Sequence, residues 1–153
     1  MYILYKMIIK SFETNKINFL KTNFFLFYGE NEGLKNEMIN KNFKQKYLDN
    51  IFRYEEKEIL NEKDRFLESI LTKSFFEKEK LIIISRTSDK IIDIIKEIFE
   101  KNIKDIKFIL ISDILEKKSK LRNFFEKEKN TICIPFYSDT NQTLNYIASA
   151  FLK

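Results

Sequence analysis

The residues best placed to do chemistry sit in one stretch, Phe24-Phe25-Leu26-Phe27-Tyr28-Gly29-Glu30-Asn31-Glu32-Gly33-Leu34-Lys35-Asn36-Glu37-Met38. An apolar run, a glycine-bounded turn and a helical pattern follow one another. That is the layout of a phosphate-binding loop, G-x-x-x-x-G-K-[ST]. In such a loop backbone N–H groups cradle phosphates, the lysine reaches them and the hydroxyl holds magnesium. Both glycines of the chain are here, which predicts that the backbone needs its freedom at this turn and nowhere else. The pattern is broken. The lysine spacing is one residue off, and Asn36 stands in place of Ser or Thr. Glu30 and Glu32 put negative charge where phosphates would lie. Those charges suit a helix N-terminus but repel a triphosphate. Gly29, Gly33 and Lys35 therefore read as a degenerate phosphate loop, a strand-to-helix turn that does not bind nucleotide.

A nucleotide hydrolase also needs an acid at the end of a later strand to hold metal and water. After Leu81-Ile82-Ile83-Ile84 the chain has Ser85-Arg86-Thr87, and after Phe108-Ile109-Leu110-Ile111 it has Ser112-Asp113. Asp113 is a lone acid that reads as the start of a loop. Lysine spacing, hydroxyl and acid are defective together, which points to an architecture that has lost its reaction.

Other chemistries are closed by composition. There is no histidine, which excludes Cys-His and Ser-His catalysis and most zinc sites. No metal site and no cofactor are expected. Cys133 is the only cysteine and lies in the apolar run Thr131-Ile132-Cys133-Ile134-Pro135, so it reads as a small core residue. A lone cysteine allows no internal disulfide, which suits a cytoplasmic protein. No apolar run reaches the roughly 18 residues of a membrane span, so no membrane association is expected. The apolar N-terminus is interrupted by Lys6 and is too short for a signal peptide; Met7 is an alternative start. The net charge of +5 permits an acidic partner or nucleic acid, but Lys and Glu are mixed along the chain as on solvated helix faces. Richness in Ile, Lys, Asn and Phe fits an AT-rich genome better than a fold signal.

The elements that must position the turn follow from periodicity. Continuous apolar runs at Phe24–Tyr28, Leu81–Ser85, Phe108–Ser112 and Thr131–Phe136 predict strands buried on both faces. Pro135 marks the last as an edge or exit. Asn50 to Tyr54 alternates like a strand, and Met7 to Phe12 is a candidate edge strand, followed by a short helix or loop over Glu13–Thr22. Helical patterns cover Leu34–Lys46, Arg65–Leu71, Asp89–Lys101 (capped by Ser88 or Asp89) and Ser119–Lys127. Phe66, Leu67, Ile70 and Leu71 form the apolar face of the second. A final helix starts at Asp139-Thr140. Alternation of strands and helices predicts an α/β fold: a parallel sheet of about five strands with helices on both faces, of the P-loop NTPase or AAA+ type with a degenerate nucleotide site. Residues 1–138 form this domain. Residues 139–153 begin a helical lid that is cut short, and the chain reads as a fragment.

Ser74-Phe75-Phe76 lies between a helix and the next strand, ahead of Glu77-Lys78-Glu79-Lys80. Adjacent side chains cannot both face one core in a helix or a strand. The pair reads either as local core packing or as an exposed aromatic anchor for a partner's pocket.

In order and spacing, several segments together resemble the N-terminal domain of the bacterial DNA polymerase III delta subunit, the alphaproteobacterial form most of all. They are Phe25-Leu26-Phe27-Tyr28-Gly29-Glu30-Asn31-Glu32-Gly33-Leu34, Phe75-Phe76 before a buried strand, Lys117-Lys118-Ser119-Lys120-Leu121-Arg122-Asn123-Phe124-Phe125, and Cys133-Ile134-Pro135-Phe136-Tyr137. The resemblance spans about residues 7 to 150. It implies an AAA+-like domain without ATP that grips the ring-shaped beta sliding clamp and helps open it. In that family a small-Leu-Phe element enters a hydrophobic pocket on the clamp. Ser74, Phe75 and Phe76 match its position, with Phe75 in place of Leu. The resemblance also implies delta prime and gamma/tau subunits as partners of the full-length protein, and DNA contact through the assembled complex. The family's C-terminal collar is absent from this chain. No catalytic activity is implied for the chain itself, only membership of a DNA-directed DNA polymerase (nucleotidyltransferase) holoenzyme. The competing reading is a divergent phosphate-loop enzyme or regulator, motivated by Gly29, Gly33 and Lys35.

Overall fold

A computed structural model describes residues 21–73 and 79–137. Its centre is built from the uninterrupted apolar runs: β1 (Phe24–Tyr28), β3 (Lys80–Ser85), β4 (Ile106–Ile111) and β5 (Thr131–Pro135). They are buried along nearly their whole lengths, which is why their sequences do not alternate. β2 (Ile51–Glu55) does alternate, and it lies half exposed at the sheet edge. The five strands are parallel in the order β2-β3-β4-β1-β5. Leu26 of β1 stands between Leu110 of β4 and Cys133 of β5. Pro135 ends β5, which pairs with β1 alone among the described residues and is the other edge there, a position that tolerates a missing backbone donor.

Period-two alternation along the strands divides the interior into two cores. Phe24, Leu26, Tyr28, Ile82, Ile84, Phe108 and Leu110 face one side. There they meet Ile59 of α2 (Glu56–Asn61), Phe66 and Ile70 of α3 (Lys63–Lys73), Ile95 of α4 (Ile92–Glu100) and Leu121 and Phe125 of α5 (Lys120–Lys127). Phe25, Phe27, Leu81, Ile83 and Ile109 face the other side. They meet Met38 and Ile39 of α1 (Glu32–Ile39), Phe43 in the π-helical turn that continues it, and Tyr47. The structure is thus α/β with a five-stranded parallel sheet and helices on both faces.

Three local readings need correction. The helix expected from Leu34 begins at Glu32, because the Asn31 side chain caps it by accepting from Leu34 N. α2 was not legible as a helix. Its N-terminus is a capping box made of two glutamates, Glu55 and Glu58, where the usual signature is Ser or Thr followed by Glu. Leu71, assigned to an apolar face, is 41% exposed, while Phe66, Leu67 and Ile70 are buried as expected. The caps of the later helices follow the sequence: Ser88 accepts from Lys90 N, and Ser119 from Arg122 N. The segments expected at Met7–Phe12, Ser74–Phe76 and 139–153 lie outside the described residues. No helix among the described residues is long and apolar enough to cross a membrane.

Candidate functional site

β1 is the first strand among the described residues yet lies between β4 and β5. The chain leaves it for the far edge, returns, and then crosses to its other side. Such a reversal opens a crevice at the carboxyl ends of parallel strands, where ligands of these folds bind. The turn after β1 occupies that crevice. Gly29 N donates to the Asp113 carbonyl beyond β4 (3.1 Å), and Asn31 N donates to the Phe136 carbonyl beyond β5 (3.0 Å). The Asn31 side-chain amide also reaches the Tyr137 carbonyl at 3.3 Å.

The two glycines do different work. Gly29 has φ +115°, and a Cβ there would stand 2.7 Å from the Phe136 carbonyl carbon. Only glycine fits. Gly33 lies inside α1, and its nearest neighbour to a Cβ is Asn31 Oδ1 at an ordinary 3.7 Å. The backbone freedom read from both glycines belongs to Gly29 alone. Left-handed backbone also occurs elsewhere, at Leu48, Arg86, Asn102 and Asn130. Counted from Gly29, Lys35 stands at the interval the phosphate-loop pattern requires. The residue out of place is Gly33, one position early.

A phosphate loop works by keeping backbone donors free for its ligand. Here Gly29, Asn31, Glu32, Leu34 and Lys35 all donate within the chain. Glu32 N bonds the Glu30 carbonyl at 3.0 Å, Leu34 N the Asn31 side chain at 3.2 Å, and Lys35 N the Asn31 carbonyl at 3.2 Å. Lys35 is held the same way. Its side chain is fully buried, with Nζ on the Glu32 carboxylate (2.5 Å) and on the Ser112 carbonyl (2.9 Å). The Glu32 carboxylate, 66% exposed, takes the contact with the lysine amine that a phosphate oxygen makes in a working loop. It supplies an anion of the chain's own to the cation and the helix N-terminus.

The neighbouring strand ends are closed in turn. Beyond β3, Thr87 donates through N and through Oγ1 to the Ile111 carbonyl, each at 3.0 Å. Its hydroxyl also meets the Ser112 hydroxyl. No acid follows β3. Asp113 is exposed, and its described role is its carbonyl bond to Gly29. The one buried acid on this rim among the described residues is Glu56, which sequence reasoning missed. Its carboxylate accepts from Ser88 N at 2.7 Å and from Ser88 Oγ at 2.8 and 3.1 Å. It ties the start of α2 to the β3–α4 loop. The sequence signal, an acid directly after an alternating strand, was present but looked like part of a charged run. A second tie is Asp89, whose Oδ1 accepts from Ser119 Oγ (2.7 Å) and Leu121 N (3.0 Å). Slight desolvation of the exposed Asp89 raises its pKa, but these bonds outweigh it and hold the carboxyl below its usual range.

Tyr28 closes β1 beneath the Arg122 guanidinium, 5.0 Å from its ring, and burial drives its hydroxyl well above the ordinary tyrosine range. Cys133 is fully buried, and burial also pushes its thiol up, so it stays protonated and unreactive. No three His, Cys, Asp or Glu side chains converge as metal ligands among the described residues. Gly29, Lys35 and the strand ends are therefore brought together as in a nucleotide site, with their polar groups already spent on each other. Ser74, Phe75 and Phe76 fall in the chain between α3 and β3, outside the described residues.

No protein-family model matches this chain, and no curated protein matches it in sequence. A solved structure shares the fold: the Bacillus subtilis DNA clamp loader delta protein YqeN, with a TM-score of 0.59 at 14% identity. The match covers 92% of this chain and 43% of that protein. The chain thus spans less than half its length, and the likeness is one of fold.

Proposed function

We propose that this chain is the clamp-binding, N-terminal part of a clamp-loader delta subunit, acting in DNA replication by binding and without chemistry of its own. The observation that carries this reading is the ligand crevice filled by the chain's own Lys35–Glu32 pair, on the fold of a clamp loader delta protein. In this reading residues 1–138 are the AAA+-like domain and residues 139–153 begin the lid. The working element is Ser74-Phe75-Phe76, set between α3 and β3, and it enters a hydrophobic pocket on the beta sliding clamp. The order and spacing of the segments that resemble the delta subunit motivate that assignment. Two buried aromatic side chains supply a few kcal/mol of apolar burial. That energy opens a ring only to the extent that the contact is better in the open state. ATP is used by the gamma/tau partners, and nucleotidyl transfer by the polymerase itself.

The test is a binding titration of the 153-residue chain with purified sliding clamp. Saturable binding that drops at least tenfold in a Phe75→Ala/Phe76→Ala double variant supports the assignment. Undiminished binding by that variant removes the proposed element. The alternative, a divergent nucleotide-binding regulator, is favoured only if ATP binds and binding depends on Lys35.

A further inference from the structure

The segment between α1 and β2 accepts local costs in succession. α1 is continued by a π-helical turn, Asn40–Lys44, and by a short α-helical turn, Gln45–Tyr47. A π turn inside a helix is rare and recurs at functional sites. Tyr47 then buries its hydroxyl with no hydrogen-bond partner among the described residues, which forfeits the hydration of that group. Leu48 follows with φ +38° and ψ −105°. Those angles lie near the first central position of a type II′ turn, where glycine is the usual residue because a Cβ is strained.

The strained turn presents its side chain to solvent. Leu48 is 69% exposed, more than any other large hydrophobic side chain among the described residues. A lone surface leucine is ordinary. One held in glycine's conformation, with its side chain gaining little burial from the fold, is not: such outliers cluster at ligand clamps and active sites. Leu48 stands at the amino end of the sheet, where the chain enters β2. Lys46, just before it, pairs with Glu79 at 3.4 Å, and Glu79 immediately precedes β3. Chain length alone keeps the Phe76 Cα within about 11 Å of the Glu79 Cα. One partner surface can therefore meet Leu48 and the connection between α3 and β3 together.

We propose that Leu48 is a second apolar anchor for the beta sliding clamp, an inference that rests on the clamp reading above and adds a contact residue to it. Leu48 docks against apolar surface of the clamp beside the pocket that takes Phe75 and Phe76. Its turn is already fixed in the free chain, so little further ordering is needed on binding. The backbone strain is tolerated because it holds the side chain outward, at the expense of stability that glycine would restore.

The test titrates the 153-residue chain with purified beta sliding clamp and takes a melting curve of each variant. Leu48→Gly and Leu48→Met are run beside the Phe75→Ala/Phe76→Ala double variant. Glycine removes the anchor and relieves the backbone together, so Leu48→Gly should melt about 3 °C higher than wild type. It should also bind clamp about tenfold more weakly, the loss of one buried leucine side chain. Leu48→Met, apolar and of similar volume, should bind within about twofold of wild type. A leucine that only packs on its own fold gives the reverse in Leu48→Gly, a lower melting temperature with unchanged binding, and that result overturns the proposal. Undiminished binding by Leu48→Gly, where the double variant loses it, overturns the second anchor and leaves the clamp reading standing. Absence of binding by the wild-type chain overturns both.

Discussion

Replacing each of the two glycines by alanine tests the geometry of the turn directly, because the predicted effects have opposite signs. At Gly29 the added Cβ meets the Phe136 carbonyl, whose carbon lies 2.7 Å away and whose oxygen lies closer. That carbonyl cannot easily retreat. It accepts from Asn31 N, its own residue donates to the Tyr28 carbonyl, and the Phe136 ring is fully buried against Phe27. A φ of +115° is strained for alanine, at about 1–3 kcal/mol. Loss of the Asn31–Phe136 bond adds about 1 kcal/mol, and displacement of a buried ring adds about as much again. The sum is about 4 kcal/mol, which lowers the melting temperature by roughly 10 °C for a chain of this size. At Gly33 the backbone is helical and a Cβ has room. Alanine there should stabilise by about 0.5–1 kcal/mol, from the entropy that glycine loses on folding. Urea unfolding of both variants, followed by circular dichroism, measures the two. A Gly29→Ala change within 0.5 kcal/mol of wild type, on the scale of an ordinary surface substitution, would refute the clasp between the turn and β5. A Gly33→Ala variant as unstable as Gly29→Ala would refute the distinction drawn between the two positions.

Two further predictions concern buried charge. Lys107 is buried, with Nζ on the Thr22 carbonyl and the Asn23 side chain (3.2 Å), and desolvation, aided by Lys46 and opposed by Glu79, lowers its pKa to about 8. Between about pH 8 and the unfolded value of 10.5, the unfolded chain holds more protons at this site than the folded one, so its contribution to stability rises with pH across that window. Cys133 and Tyr28, raised by burial, act in the opposite direction as pH climbs through their unfolded values. The comparison is therefore made against Lys107→Met: wild type should gain on the variant by about 2 kcal/mol between pH 7 and 10, less than the full shift because that window ends below the unfolded value. A constant difference from pH 7 to 10 would contradict it. Glu56→Ala removes the acceptor of both Ser88 donors and should cost about 2–3 kcal/mol, read by chemical denaturation. A loss under 0.5 kcal/mol would show that the rim does not depend on this carboxylate.

The strands could be read from sequence because they are buried on both faces. Phe24–Tyr28 or Ile106–Ile111 then needs no alternation to be recognised, and the parallel sheet follows from the helices between them. What failed to show were interactions set by three-dimensional neighbours. Two glutamates serve as a capping box at Glu55 and Glu58, although acids in that spacing resemble solvated charge. Lys35 looks like a ligand-reaching lysine, and only the folded chain shows its amine spent on Glu32 and Ser112. The reading of Glu32 as charge at the phosphate position was available from sequence, since it precedes Lys35 by three residues at a helix N-terminus. Gly33 carried a false signal: glycine marks a special backbone only where φ requires it, and inside α1 none is required.

The central claim is that the crevice above β1 is occupied by the chain's own charges. Isothermal titration of the 153-residue chain with ATP and magnesium measures this most directly. The account predicts no saturable heat up to millimolar nucleotide, for wild type and Lys35→Ala alike. Micromolar binding by wild type that disappears in Lys35→Ala would show Lys35 reaching a phosphate, and would contradict it.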